Sequence, residues 1–139
     1  MKPPLWMRAA ALLPETPPSH AAALALNLLR HRLWPHEPFD WLAGRTLRFE
    51  VAGPDRGVTL GFDGKRFIAG QTPADCRFIA SLADYLHLAC GDEDPDTLFF
   101  QRRLRIEGDV ELGLRLKNLL DATDWQVLRP GLQPYRSRQ

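Results

Sequence analysis

The stretch Asp94–Trp125, DPDTLFFQRRLRIEGDVELGLRLKNLLDATDW, calls for three backbone conformations in quick succession, and any fold for this chain must accommodate all three. Asp94 followed by Pro95 reads as a helix start. The carboxylate can satisfy a free backbone donor, and proline at the first helical position gives up no hydrogen bond. Leu98, Phe99 and Phe100 supply that short helix with an apolar load. From Arg103 to Glu107, Leu104 and Ile106 alternate with Arg103, Arg105 and Glu107, the period of a strand with one buried face. Gly108 ends the strand, and Asp109 caps a second helix whose first turn holds Glu111 against the helix dipole. On that helix Leu112, Leu116, Leu119 and Leu120 form one apolar stripe, with Val110 and Leu114 in a second patch beyond Lys117. One sheet contact needs only one stripe. The second patch implies a further neighbour: another helix of the core, a partner protein, lipid or a bound ligand.

Upstream, a proline-rich connector from Glu15 to Pro18 leads to a helix opening at Ser19 or His20, AAALALNLLRHRLW, with little polar surface before Arg30. Pro35 ends it. HEPFDWLAG adds a turn of helix anchored by Phe39, Trp41 and Leu42 and stopped at Gly44. Leu47, Phe49 and Val51 then alternate with Arg48 and Glu50 as a half-buried strand, and Val58, Leu60 and Phe62 continue the pattern after the GPDRG turn. Asp63-Gly64 signals a two-residue hairpin into a strand from Lys65 to Ala69. A fourth strand runs from Cys76 to Ala80. Ser81, with Asp84 three residues on, caps the helix LADYLHLAC, which places Leu82, Leu86 and Cys90 along one face. The predicted class is α+β: five strands, the first four in a meander and the fifth reached through helices, in a mostly antiparallel sheet covered by helices.

A chain of 139 residues with 45% hydrophobic and 25% charged residues fits one globular domain. The predicted division is a proline-rich segment 1–18, a folded domain 19–126 and a mobile tail 127–139. In the first segment Leu5, Leu12 and Leu13 gather on one side with Trp6 at the edge, as a short interfacial helix touching a membrane or as a lid on the protein's own core. A net charge of +1 argues against nucleic acid as a partner, because phosphate binding needs a concentrated basic surface. Arg102, Arg103 and Arg105 are the densest basic cluster, readable as a solvated sheet edge or as a phosphate or acidic-headgroup contact. Cys76 and Cys90 make no disulfide framework and fit reduced thiols in a cytosolic protein.

Catalytic signals are sparse. His87 and Cys90 sit three apart on a helix, but a structural zinc site needs four ligands, and only Asp92 and the distant Cys76 could join them. Cys90 as a nucleophile meets the objection that it lies on an apolar face. Asp92, Glu93, Asp94 and Asp96 precede a helix and are explained by capping and the dipole. No phosphate loop, GxGxxG or GxSxG occurs. The expectation is a non-catalytic chain without metal or cofactor. A lipid enzyme, with His87 as its polar group, and a ligand-free interaction module built on Phe99, Phe100, Val110 and Leu114 are the competing classes.

EDPDTLFFQRRLRIEGDVELGLRLKNLLDATDW resembles the C-terminal half of the sterol carrier protein type 2 family, in which a strand, Gly-Asp and a leucine-rich helix follow one another. More narrowly, DPDTLFFQRRL and IEGDVELGLRLKNLLDA resemble the bacterial lipid-binding accessory factors of oxygen-independent ubiquinone biosynthesis, and a weaker likeness reaches back through FDWLAGRTLRFEV to about residue 37. The resemblance implies a fold with a hydrophobic cavity holding prenylated quinone precursors for hydroxylation. It also implies an iron-sulfur hydroxylase pair and other enzymes of the pathway as partners, in the cytoplasm or peripheral to the inner membrane. On this basis the cavity wall is expected at Phe49, Phe62, Phe78, Leu104 and Ile106 on the strands. Trp41, Leu82, Leu86, Phe99 and Phe100 would join them, with Leu112, Leu116 and Leu119 from the last helix.

Overall fold

The computed structural model describes residues 4–5 and 16–128. The expectations for 6–15 and for 129–139 lie outside the described residues. Helix α1 (Thr16–Leu33) starts earlier than the sequence suggests, with Pro17 and Pro18 inside its first turn, where missing amide donors cost nothing. Ser19 is thereby buried rather than capping, and its hydroxyl accepts the Thr59 amide at 3.1 Å. One turn of 3₁₀ helix (Asp40–Leu42) leads to Gly44, whose φ of 74° provides the expected left-handed stop.

The strands are β1 (Thr46–Val51), β2 (Arg56–Phe62), β3 (Phe67–Ala69), β4 (Cys76–Ala80) and β5 (Arg105–Gly108). Among them lie α2 (Leu82–Cys90), α3 (Pro95–Phe100) and α4 (Val110–Asp121), followed by a 3₁₀ turn at Trp125–Leu128. All three short helices are capped as their sequences indicate. Ser81 accepts the Asp84 amide, Asp94 that of Thr97 and Asp109 that of Leu112.

The sheet order is β3-β2-β1-β4-β5, which corrects the expected four-strand meander. β4 does not follow β3; it crosses to the far side of β1 and pairs with it in parallel, Leu47 opposite Cys76 and Phe49 opposite Phe78. The outer edge of β3 is already taken. Asn27 of α1 donates to the Phe67 carbonyl at 2.8 Å and accepts its amide at 2.7 Å, so one side chain occupies the bonds a neighbouring strand would use. The remaining pairs are antiparallel. The Asp63-Gly64 hairpin is also longer than two residues. Asp63 Oδ1 accepts both the Lys65 and Arg66 amides, and β3 begins only at Phe67.

Register puts Leu47, Phe49, Leu60, Phe62, Phe67, Cys76, Phe78 and Ile106 on one face. Arg48, Glu50, Thr59, Arg77, Arg105 and Glu107 share the other. Arg48 and Glu50 were expected to face solvent, yet each is only 8% exposed. The arginine Nε lies 3.0 Å from Glu50 Oε1, and Arg77 links Glu50 to Glu107, which Arg105 also holds. Partnered charges can be buried where lone ones cannot.

On the apolar face α4 docks over β4 and β5 through Gly113. A Cβ there would collide with Ile106 Cγ2 and come within 2.8 Å of Cys76 Sγ. Gly113→Ala is therefore expected to destabilise the fold by about 1–3 kcal/mol in urea denaturation, although alanine is the better helix former by about 1 kcal/mol. A stabilised variant would mean that α4 stands further from the sheet. Lys117, buried on the same helix, reaches Asp96 Oδ1 at 2.5 Å and ties α4 to α3. At the other end of the sheet Phe39, at φ 60° and 1% exposed, is held by Trp34, Trp41, Phe62 and Phe67. The Arg30 guanidinium covers three of these rings, those of Phe39, Phe62 and Phe67.

Candidate functional site

The C-terminal end of α2, the loop leading to Pro95 and the segment following α4 enclose an open groove of about 710 Å3. Its apolar wall comes from Tyr85, Leu88, Ala89, Pro95, Leu120 and Trp125. Glu93, Asp94, Asp121 and Asp124 stand among its polar lining. Gly91, at φ 78°, turns the chain out of α2 and lets the loop 91–94 form one bank. The other bank is fixed from behind: Trp34 Nε1 donates to Thr123 Oγ1 at 2.7 Å, and its ring meets Trp125 edge-on at 6.2 Å.

Tyr85 sets the roll of α2. Its hydroxyl lies 2.9 Å from the Glu50 carbonyl and 3.0 Å from that of Phe78, and burial pushes its pKa well above the ordinary phenol value. Turning Tyr85 and Leu88 toward the sheet turns Leu82, Leu86 and Cys90 outward. Leu82 is 40% and Leu86 56% exposed, which corrects the expectation that this face is internal.

Arg103 braces the loop bank. It contacts Asp84 of α2 at 2.6 Å and Glu93 at 2.5 Å, and holds both carboxyls below their usual range. The basic cluster is therefore divided. Arg103 serves this clamp, while Arg102 and Arg105, the latter paired with Glu107, line a second depression of about 510 Å3.

The side chains expected from sequence to share one wall are dispersed. Phe62, Phe78, Leu104, Leu112 and Leu116 are buried core; Phe49 stacks on Phe78 at 5.3 Å, and Leu119 packs against the same cluster. Trp41 sits away from both depressions, its indole donating to Glu37 and its ring beneath Arg115. Phe99, Phe100, Leu104 and Ile106 come together in the second depression, where Phe100 is 75% exposed. None of the thirteen lines the larger groove. Sequence reasoning passed over Tyr85, Leu88 and Ala89, which share α2 with the two leucines it chose. It also passed over Trp125, whose signal was a lone tryptophan just past the last helix.

His87 faces Asp92 at 3.2 Å in solvent, outside both depressions. Cys76 is buried under α4, its thiol pushed up to about 11 by desolvation. Among the described residues no group of three His, Cys, Asp or Glu side chains could hold a metal ion.

Residues 26–121 match the family model for the SCP-2 sterol transfer family. The chain belongs to that family. Among curated proteins the domain is 43% identical over 95 residues to the ubiquinone biosynthesis accessory factor UbiT of Escherichia coli (strain K12), covering 68% of this chain and 55% of that protein. The UbiT of strain O157:H7 aligns with the same figures. The chain thus spans about half the length of the curated relatives it matches. Among solved structures, the UbiJ-SCP2 ubiquinone synthesis protein superposes with a TM-score of 0.58 at 25% identity, covering 78% of this chain and 97% of that one. The palmitated SCP2L2 of Aedes aegypti, at 14% identity and a TM-score of 0.52, covers 73% of this chain and 94% of its own and shares the fold. The α+β class and the mostly antiparallel five-stranded sheet expected from sequence are those of the SCP-2 fold.

Proposed function

We propose that this SCP-2 domain is a non-catalytic lipid-binding accessory protein of ubiquinone biosynthesis, holding prenylated quinone precursors while partner enzymes modify them. The observation that carries this reading is the groove between α2 and the end of α4. It is open, apolar on its inner wall and of a volume that suits a small amphiphile. An isoprenoid chain laid against Tyr85, Leu88, Leu120 and Trp125 gains about 25 cal/mol per Å2 of apolar surface removed from water, which needs no directional contact. The likeness to UbiT and to UbiJ-SCP2 supports the pathway. The step served is hydroxylation by an oxygen-independent, iron-sulfur enzyme pair, at the cytoplasmic face of a membrane.

Lipids extracted from the gently purified protein and analysed by mass spectrometry are expected to be enriched in polyprenyl phenols or related quinone precursors over a control protein of equal size. A protein that carries no lipid yet co-purifies with pathway enzymes would favour a second reading, an interaction module. Phe100, 75% exposed beside the second depression, is the observation on that side.

A further inference from the structure

The two edges of the sheet are finished differently. Asn27 occupies the outer edge of β3 with two backbone bonds. β5 is the last strand at the other edge, and its end residues, Arg105 and Gly108, are exposed. The second depression runs along it, lined by Leu104, Arg105, Ile106 and Glu107 in succession and walled by Phe99 and Phe100. Successive strand residues point to opposite faces. All four border one depression because it lies against the edge of the strand, where backbone amides and carbonyls are offered to a further strand. Phe100, 75% exposed just before β5, and Val110, 47% exposed just after it, add apolar surface at its two ends.

The residues of β5 select the strand that fits there. When β5 is laid antiparallel against a copy of itself about Ile106, Arg105 stands opposite Glu107, Glu107 opposite Arg105, and Ile106 opposite its own counterpart. Both charged side chains keep the polar face they already share, and both isoleucines the apolar one. Opposite charges directly across a strand pair stabilise it, and like charges there oppose it. The same antiparallel order brings the Phe100 end of one copy toward the Val110 end of the other. A two-fold axis makes every such contact twice.

We propose that the β5 edge binds a second copy of this chain: two molecules pair antiparallel through β5 about a two-fold axis at Ile106, joining their sheets into one. The charge pattern favours a second copy over an unrelated extended segment, which would gain the backbone bonds without both charge pairs. The groove between α2 and the end of α4 shares no residue with this depression, so the pairing leaves it free and stands independently of what the groove holds. β5 is only 4 residues long, which puts the contact at the small end of specific interfaces and makes the dimer a weak one.

Sedimentation velocity of the full-length chain from about 1 to about 300 µM is the test, with a monomer–dimer Kd on the order of 10 µM expected. Arg105→Glu sets acids against acids at both ends of the pairing, and Glu107→Arg sets bases against bases. Each alone should raise the Kd at least about tenfold. An equimolar mixture of the two should associate again, because each copy then offers the charge the other lacks, and the double variant Arg105→Glu/Glu107→Arg should dimerise like the parent. Glu107 also holds Arg77, so Phe100→Ala, which removes an exposed ring and touches no ion pair, carries the test if the charge variants fail to fold. It too should weaken the dimer about tenfold, with circular dichroism unchanged. A parent chain that stays monomeric throughout overturns the proposal, and one that does so yet sediments with phosphatidylglycerol vesicles assigns Phe100 to a membrane instead. Single variants that associate like the parent, or folded ones whose mixture does not recover, place any dimer on another surface and overturn it as well.

Discussion

Phe78→Ala is expected to lower the stability of the folded chain by about 3–5 kcal/mol, read from the urea midpoint at unchanged slope. Phe78 is 1% exposed in β4, between β1 and β5; its ring stacks on Phe49 at 5.3 Å with planes 13° apart, and it lies opposite Ile106 in the register. Neighbours on both flanking strands are held by backbone bonds and cannot close over the hole, so the lost transfer energy and the cavity cost both apply. For a domain whose whole stability is about 5–15 kcal/mol this is a large fraction. Phe100→Ala is the matched comparison, because its ring is 75% exposed and should change stability by no more than about 0.5 kcal/mol. A cost below about 1 kcal/mol at Phe78 would mean that the ring borders space a ligand fills, and would return it to the binding wall.

That contrast marks how far the sequence could be read. Side-chain caps at Ser81, Asp94 and Asp109 were legible because a cap is a local bargain between one side chain and an amide three residues on. Alternation gave the apolar face of β1 and β2 for the same reason. The position of β4 was not legible, because it depends on Asn27 occupying the β3 edge forty residues away in sequence. The roll of α2 was misjudged because helical period permits either face to be inward: Leu82 and Leu86 made the greasier stripe, but two backbone carbonyls reward the Tyr85 hydroxyl on the other. Arg48 and Glu50 read as solvent-facing because alternation carries no news of partners on the next strand. The groove was hidden most completely. Its banks are the loop 91–94 and the segment 121–126, which carry no periodicity, and its apolar wall combines three residues of α2 with single residues of α3, α4 and the last 3₁₀ turn.

A bulky side chain at Ala89 should separate binding from folding. Ala89 lies on α2, is exposed, and lines the groove, so an indole there enters the groove without displacing core. Ala89→Trp is expected to leave stability within about 0.5 kcal/mol of the parent, as for other exposed helix positions. Amphiphile binding should fall by at least about tenfold, since displacing two methylene groups from apolar contact, at about 0.8 kcal/mol each, already accounts for that much. Leu86→Trp controls for the added aromatic: it lies on the same helix, 56% exposed, and lines neither depression. If both variants bind 3-pentadecylphenol like the parent, the tail lies elsewhere, and the apolar interior around Phe49 and Phe78 becomes the place to look. If only Ala89→Trp fails, the tail is held between α2 and the end of α4. The large aromatic residues of the sheet then keep the groove in shape without touching what it carries.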